Sequence, residues 1–408
     1  MLYIIGIRII SCIIFVASPF NHKLKLWREG RKKIFGRLEK EVNPEEKTIW
    51  FHCASLGEFE QGRPVIEAIR EKAPGLKILL TFFSPSGYEI RKNFPGADYI
   101  YYLPLDTRQN AEKFITLVNP AFAVFVKYEF WYFFIRTLNR RHIPVYLISA
   151  NFRNNQIFFR RYGGFFRGIL AMFTHLFIQN QKSKELLSTI GIDAVSVAGD
   201  TRFDRVHAIS NRRKRLKPVE QFKQNELTVV AGSTWKEDEE HIIRYINEQK
   251  NNLRWIIAPH EIREENILRI LNSLTRPSVR YSELNHSNTS GAEILVVDNI
   301  GLLSSLYYYG EIAYIGGGFG KGIHNILEAA TYGMPVLFGP NYKNFQEALD
   351  LVERKGAFPV RSYKDVVNTI HQLITEPEYL KKTGNIAKEF VKSNLGATRL
   401  IVEKLLID

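Results

Sequence analysis

"IAYIGGGFGKGIHNILEAATYGMPVLFGP", residues 312–340, holds the pattern that decides the fold. A short apolar run meets a cluster of glycines, a stretch of helical spacing follows, and a second apolar run ends in Gly-Pro. Continuously apolar runs of strand length, joined by amphipathic segments, belong to a parallel sheet covered on both faces. Glycines at a strand end let the backbone approach a ligand with no Cβ in the way, and the amides of a following helix suit a phosphate. The helix is expected to open near His324 and Asn325, with Gly318, Gly320, Lys321 and Gly322 in the turn. Glu328 then lies about one turn into the helix, where it could reach ribose hydroxyls. The Gly-Lys pair lacks the Ser or Thr of a Walker loop.

The same alternation extends upstream. "LTVVAGS", "LRWIIAP" and "EILVV" read as strands, with "KEDEEHIIRYINEQ" and "EIREENILRILNSL" as helices. Ser233 and Thr234 occupy a second strand-to-helix turn, where either could cap the helix or bond a phosphate; His260 stands at a strand end in "IAPHE". Further upstream "TIWFHC", "LKILLTF", "DYIYYL", "AFAVFV", "PVYLIS", "THLFIQN" and "AVSVAG" give a first set of strands. Between the sets, "NRRKRLKPVEQFKQNE" is charged, polar and proline-containing, and reads as a linker. The expected division is a membrane-associated segment over 1–33, a first Rossmann-like domain over 34–209, a linker over 210–226, and a second Rossmann-like domain with carboxyl-terminal helices over 227–408. Two doubly wound α/β domains facing a central cleft describe, by analogy, the GT-B architecture of nucleotide-sugar glycosyltransferases.

A chain of 408 residues exceeds one ordinary core. Its net charge of +14 favours anionic partners: nucleic acid, acidic headgroups or phosphorylated substrates. Two cysteines make no disulfide framework. "MLYIIGIRIISCIIFVASPF" at the amino terminus carries Arg8 and falls short of the ~20 apolar residues that span a bilayer comfortably. The basic, aromatic "HKLKLWREGRKK" follows, as at a membrane interface. A monotopic anchor and a true span both fit, with the basic flank facing the cytoplasm.

In the first domain Glu58 follows one strand and Glu129 another, which places both carboxylates on one edge of a parallel sheet. Ser55-Leu56-Gly57-Glu58 also fits a capping box, so Glu58 is either half of a helix cap or a proton acceptor. Two glutamates at equivalent strand ends are a catalytic-site pattern. The chain has no D-x-D, so a carboxylate-held metal lacks support. "NFRNNQIFFRRYGGFFRGILAMF", residues 151–173, brings Arg153, Arg160, Arg161 and Arg167 among aromatics, which suits lipid phosphates and acyl chains. No RNA-binding module accompanies it.

These residues together resemble the 3-deoxy-D-manno-octulosonic acid (Kdo) transferases of lipopolysaccharide synthesis. The likeness runs through "ASLGE" (54–58), "KYEFW" (127–131), "GDTRFD" (199–204), "GST" (232–234), "APH" (258–260) and "GKGIHNILEAATYGMPVLFGPNYKNFQEA" (320–348). It implies a GT-B fold, inverting transfer of Kdo from CMP-Kdo to an acylated, phosphorylated glucosamine disaccharide (the lipid A precursor), and no metal or other cofactor. It also implies a place on the cytoplasmic face of the inner membrane. The family's general base falls on Glu58 and its second amino-domain glutamate on Glu129. Its nucleotide site falls on Ser233-Thr234, Pro259-His260 and Gly318 to Glu328.

Overall fold

Each apolar run named above becomes a strand in the computed structural model, which describes residues 2–284 and 291–407. In the first unit β1 (Thr48–Cys53), β2 (Lys77–Phe82), β3 (Tyr99–Tyr102), β4 (Pro120–Val126), β5 (Val145–Ala150), β6 (His175–Ile178) and β7 (Val195–Val197) make one sheet. Its order is β3-β2-β1-β4-β5-β6-β7, and the pairings are parallel. The chain winds outward in both directions from β1 and β4, so the topological switch point lies between them. Every residue of β1 is buried, as a strand covered on both faces requires.

The second unit repeats the plan with β8 (Thr228–Thr234), β9 (Arg254–Pro259), β10 (Ser278–Arg280), β11 (Ile294–Val296), β12 (Ile312–Ile315), β13 (Val336–Phe338) and β14 (Ala357–Pro359). Their order is β10-β11-β9-β8-β12-β13-β14, which puts this switch point between β8 and β12. Strands β10 and β14 had no counterpart in the sequence reading. Both are three-residue edge strands with one buried residue each, so they leave no apolar run to read.

The chain divides differently from the expected boundaries. One unit comprises 1–204 and 395–408, the other 205–394. The segment 210–226 contains the helix Lys217–Lys223, with Val219 and Phe222 buried, and the Leu216 amide donates to the Tyr309 hydroxyl at 2.7 Å. The carboxyl-terminal helix Ala397–Ile407 returns to the first unit. Ile401, Val402 and Leu405 there join a core that includes Phe59 and Val65 of the helix Leu56–Lys72. Asp204 fixes that return, accepting the amides of Gly396 and Thr398 at 2.7 Å each. The apolar stripe of the last helix decides its membership; sequence adjacency does not.

The amino-terminal segment folds as the helices Leu2–Ala17 and His22–Gly30, bent by 119°. Asn21 caps the second, accepting from the amides of Lys23 and Leu24. No single described helix is long and apolar enough to cross a membrane; the bent pair qualifies by length and composition. Ile9, Ile13, Phe15, Val16 and Phe20 stay exposed.

Candidate active site

In the first unit the two glutamates follow the two strands that flank the switch point. Glu58 lies in the first turn of Leu56–Lys72, after β1. Ser55 is the N-cap, but the bonds differ from a full capping box. Its Oγ accepts the Gly57 amide at 3.2 Å and donates to Glu58 Oε2. The carboxylate is therefore held by a hydroxyl and stays half-buried rather than reaching back to the Ser55 amide. One serine does both jobs: it closes the helix start and orients the Glu58 carboxylate.

Glu129 follows β4 and meets a buried network that the sequence reading missed. Trp131 Nε1 donates to Glu129 Oε2 at 2.8 Å. His52, fully buried in β1, places Nε2 3.3 Å from the same oxygen. Its Nδ1 lies 2.9 Å from Thr81 Oγ1, which also accepts from Trp50 Nε1 at 2.8 Å. A histidine inside the otherwise apolar "TIWFHC" was the readable signal, because a buried polar group needs a partner.

The loop carrying Glu129 is pinned at its far end by Asp106. This buried carboxylate accepts the amides of Phe133 and Phe134, at 3.1 and 3.0 Å, at the start of the helix Tyr132–Arg140. It also accepts the hydroxyl of Tyr3 from the amino-terminal helix. Burial outweighs these bonds and pushes the carboxyl up to about 6 from 3.8. Between those pH values the folded chain binds more protons than the unfolded one, so this group's contribution to stability falls as pH rises, by at most about 3 kcal/mol. In urea unfolding, the stability difference between wild type and Asp106→Asn is expected to move against wild type by that order from pH 4 to pH 7. A difference independent of pH would show that Asp106 titrates normally.

In the second unit Ser233 and Thr234 end β8, Pro259 ends β9 with His260 just after it, and the glycine turn follows β12. Thr234 is committed internally, donating to Glu239 Oε1 at 2.9 Å; Ser233, with φ of 53°, remains partly open. Asp238 accepts the amides of Trp235 and Gly317 at 3.0 and 2.7 Å and the Tyr314 hydroxyl at 3.0 Å. The Gly317 amide is thus taken by a carboxylate of the protein. Gly316 and Gly318 also have packing reasons. A Cβ at Gly316 would meet Ser233 O at 2.2 Å, and one at Gly318 would meet Gly339 N at 2.5 Å. Gly320 is different, since its Cβ would meet only Gly317 O, at 3.6 Å.

The helix expected at His324 begins later and is shorter, Leu327–Ala330. Asn325 stops it starting earlier by accepting the Leu327 amide through its own Oδ1. Asn325 also donates to Glu328 Oε1 at 3.2 Å, and burial raises the Glu328 carboxyl while Arg205 opposes the rise. His324 belongs instead to an aromatic platform. Trp235 Nε1 donates to His324 Nε2 at 3.0 Å, and His260 stacks on Trp235 at 4.5 Å and on His324 at 4.7 Å. Burial and His260 hold His324 down to about 4, so it is neutral at physiological pH. Positive charge near the turn comes from Lys321, Lys343 and Arg361, which line a cavity of about 600 Å³ with no carboxylate in its wall. Lys343 and Arg361 were not legible in sequence, because they sit in loops outside the glycine turn.

Of the arginines, Arg153, Arg160 and Arg161 are exposed and form no ion pair among the described residues. Arg167 is not available in the same way: it donates to the carbonyls of Phe158 and Arg160, at 3.1 and 2.9 Å. The stretch forms a short 3₁₀ turn and the helix Gly164–Leu170 rather than one long amphipathic helix. No cluster of three potential metal ligands occurs among the described residues.

Two parallel Rossmann-like sheets, each carrying its polar groups at its own switch point, define a two-domain fold of the GT-B class. The UDP-GlcNAc 2-epimerase of Neisseria meningitidis, at 19% identity, superposes with a TM-score of 0.62 over 88% of this chain and 100% of that one. A glycosyltransferase from Rickettsia africae, at 13% identity, gives 0.55 over 88% and 97%. Residues 29–205 match the family model for 3-deoxy-D-manno-octulosonic-acid transferase. The curated enzyme of that name from Haemophilus influenzae is 26% identical, over 97% of this chain and 95% of its own. Its namesake from Aquifex aeolicus is 28% identical over 82% and 88%. The chain is a glycosyltransferase, similar to the Kdo transferases along most of its length and matching their family model over residues 29–205.

Proposed function

We propose that the protein transfers Kdo, with inversion, from CMP-Kdo to the lipid A precursor of lipopolysaccharide. The observation that carries this reading is the placement of Glu58 and Glu129 at the β1/β4 switch point, where ligands of open α/β sheets bind. In the second unit, the Trp235–His260–His324 platform offers flat faces to a base. Ser233, Lys321, Lys343 and Arg361 supply donors and positive charge for a phosphate and a sugar carboxylate. Glu58 takes the proton of the acceptor hydroxyl as that oxygen attacks the anomeric carbon, and the bond to the CMP phosphate breaks. Glu129, clamped by Trp131 and facing His52, positions the acceptor. Arg153, Arg160 and Arg161 meet its phosphates. The exposed isoleucines and basic flank of the amino terminus attach the enzyme to the cytoplasmic face of the inner membrane. The reading requires no metal and no nucleic acid.

Thermal unfolding with CMP and with UDP tests the donor. At a hundred times its Kd, CMP is expected to stabilise by ~2.7 kcal/mol, roughly 5–10 °C, with UDP far weaker. Incubation with CMP-Kdo and lipid A precursor should then give a product heavier by one or more Kdo residues. Stabilisation by UDP alone, or no change in acceptor mass, would refute the assignment.

A further inference from the structure

A cavity of about 390 Å³ lies where the bent amino-terminal helices meet the helix Ile34–Glu41. Its lining combines the apolar Ile14, Phe15, Ile34 and Leu105 with the cationic Arg28, Arg31, Lys32 and Lys33. No carboxylate lines it.

Two of its donors are stranded. Among the described residues, Trp27 Nε1 and Arg28 Nε are buried with no hydrogen-bond partner. A buried N–H without an acceptor carries its full desolvation cost, so such groups point to an acceptor supplied by a ligand. Arg31 adds a partly buried positive charge whose hydrogen bonds go to the carbonyls of Leu103, Trp27 and Phe83 and whose guanidinium lies over the rings of Trp27, Phe83 and Tyr102, with no carboxylate partner among the described residues. Burial draws its guanidinium down to about 9, and a bound anion would relieve that cost. Beside the cavity, Ile13, Val16 and Phe20 are exposed on the chain that forms its rim.

We propose that this cavity binds the headgroup phosphate of an anionic membrane phospholipid, with the start of an acyl chain against its apolar residues. The volume suits a glycerophosphate headgroup and the first methylenes, and the rest of the chain stays in the bilayer beside the exposed isoleucines. The proposal rests on the membrane-surface reading above and is independent of the transfer reaction. It makes the amino-terminal segment a lipid receptor as well as an apolar anchor.

Flotation of the full chain with phosphatidylcholine vesicles, and with vesicles holding about 30 mol% phosphatidylglycerol, tests both levels. Wild type should bind neutral vesicles weakly and anionic ones at least about tenfold better. Arg28→Ala/Lys32→Ala should lose that gain yet keep the neutral binding. Lys23→Ala/Lys25→Ala removes the same charge from exposed positions outside the cavity wall and should keep most of it. Gly36→Phe leaves the charge intact; a Cβ there meets nothing within 4 Å, and the ring narrows the cavity. It should behave like the Arg28/Lys32 pair. Equal losses in both double variants with Gly36→Phe unaffected would show a diffuse field and overturn the site. Displacement of phosphatidylglycerol by lipid A precursor at equal concentration would make the cavity an acceptor subsite and also overturn it. Wild type binding neither vesicle would refute the membrane reading itself.

Discussion

Glu58→Gln is expected to lower kcat by about 10²–10⁴-fold, the usual worth of a positioned general base, while CMP affinity stays within twofold of wild type. Glutamine keeps the length of the side chain and an oxygen for the Ser55 hydroxyl, so the start of the helix Leu56–Lys72 is preserved. What it removes is the ability to take a proton. The glycine turn and aromatic platform belong to the other unit, which is why the nucleotide should bind as before. Ser55→Ala gives a graded companion: the base remains, but its orienting hydroxyl is gone, so the loss should be smaller and partly rescued by Ser55→Thr. Single-turnover rates with CMP-Kdo and saturating acceptor read both. Wild-type turnover by Glu58→Gln would remove Glu58 as base.

Gly316→Ala is expected to destabilise the second unit by about 1–3 kcal/mol or more, whereas Gly320→Ala changes stability by no more than about 0.5 kcal/mol. At Gly316 the new methyl would sit 2.2 Å from Ser233 O and 2.5 Å from Thr234 Cα. Both obstacles are backbone of the neighbouring central strand, to which the Gly316 amide is itself bonded at 2.9 Å through Gly232 O. Neither strand can step aside without breaking that ladder. At Gly320 the nearest atom is 3.6 Å away, an ordinary contact. A fall in CMP affinity in Gly320→Ala without loss of stability would therefore report close approach of ligand to backbone. Urea unfolding and CMP titration of the two variants give all four numbers; equal stability losses would contradict the packing described.

The glycine turn was legible in the sequence as a strand end but not in what its glycines approach. Density of glycines after an apolar run marked the strand end correctly, because only glycine tolerates such close backbone approach. It did not distinguish approach to a ligand from approach to a neighbouring strand, and Gly316 and Gly318 prove to need the second. His324 was singled out from its place after the glycines, but its role as a neutral acceptor for Trp235 was not legible. That state depends on a tryptophan 89 positions away in sequence and on burial that no local pattern encodes. His52 meets Glu129, and Thr81 meets His52, only because β1, β2 and β4 are neighbours in the sheet.

By itself the sequence determined the parallel α/β class, twelve of the fourteen strands, and the two glutamates at strand ends. Those follow from local hydrophobic period and strand length, which operate over a few residues. Tertiary structure alone decided that the last helix belongs to the first unit, that Arg167 is spent on its own loop, and that Asp106 ties the amino-terminal helix to the loop bearing Glu129. It alone placed the stranded donors of Trp27 and Arg28 in one cavity. Each of these depends on burial and on partners distant in sequence. Desolvation makes such contacts obligatory only after the chain has closed around them.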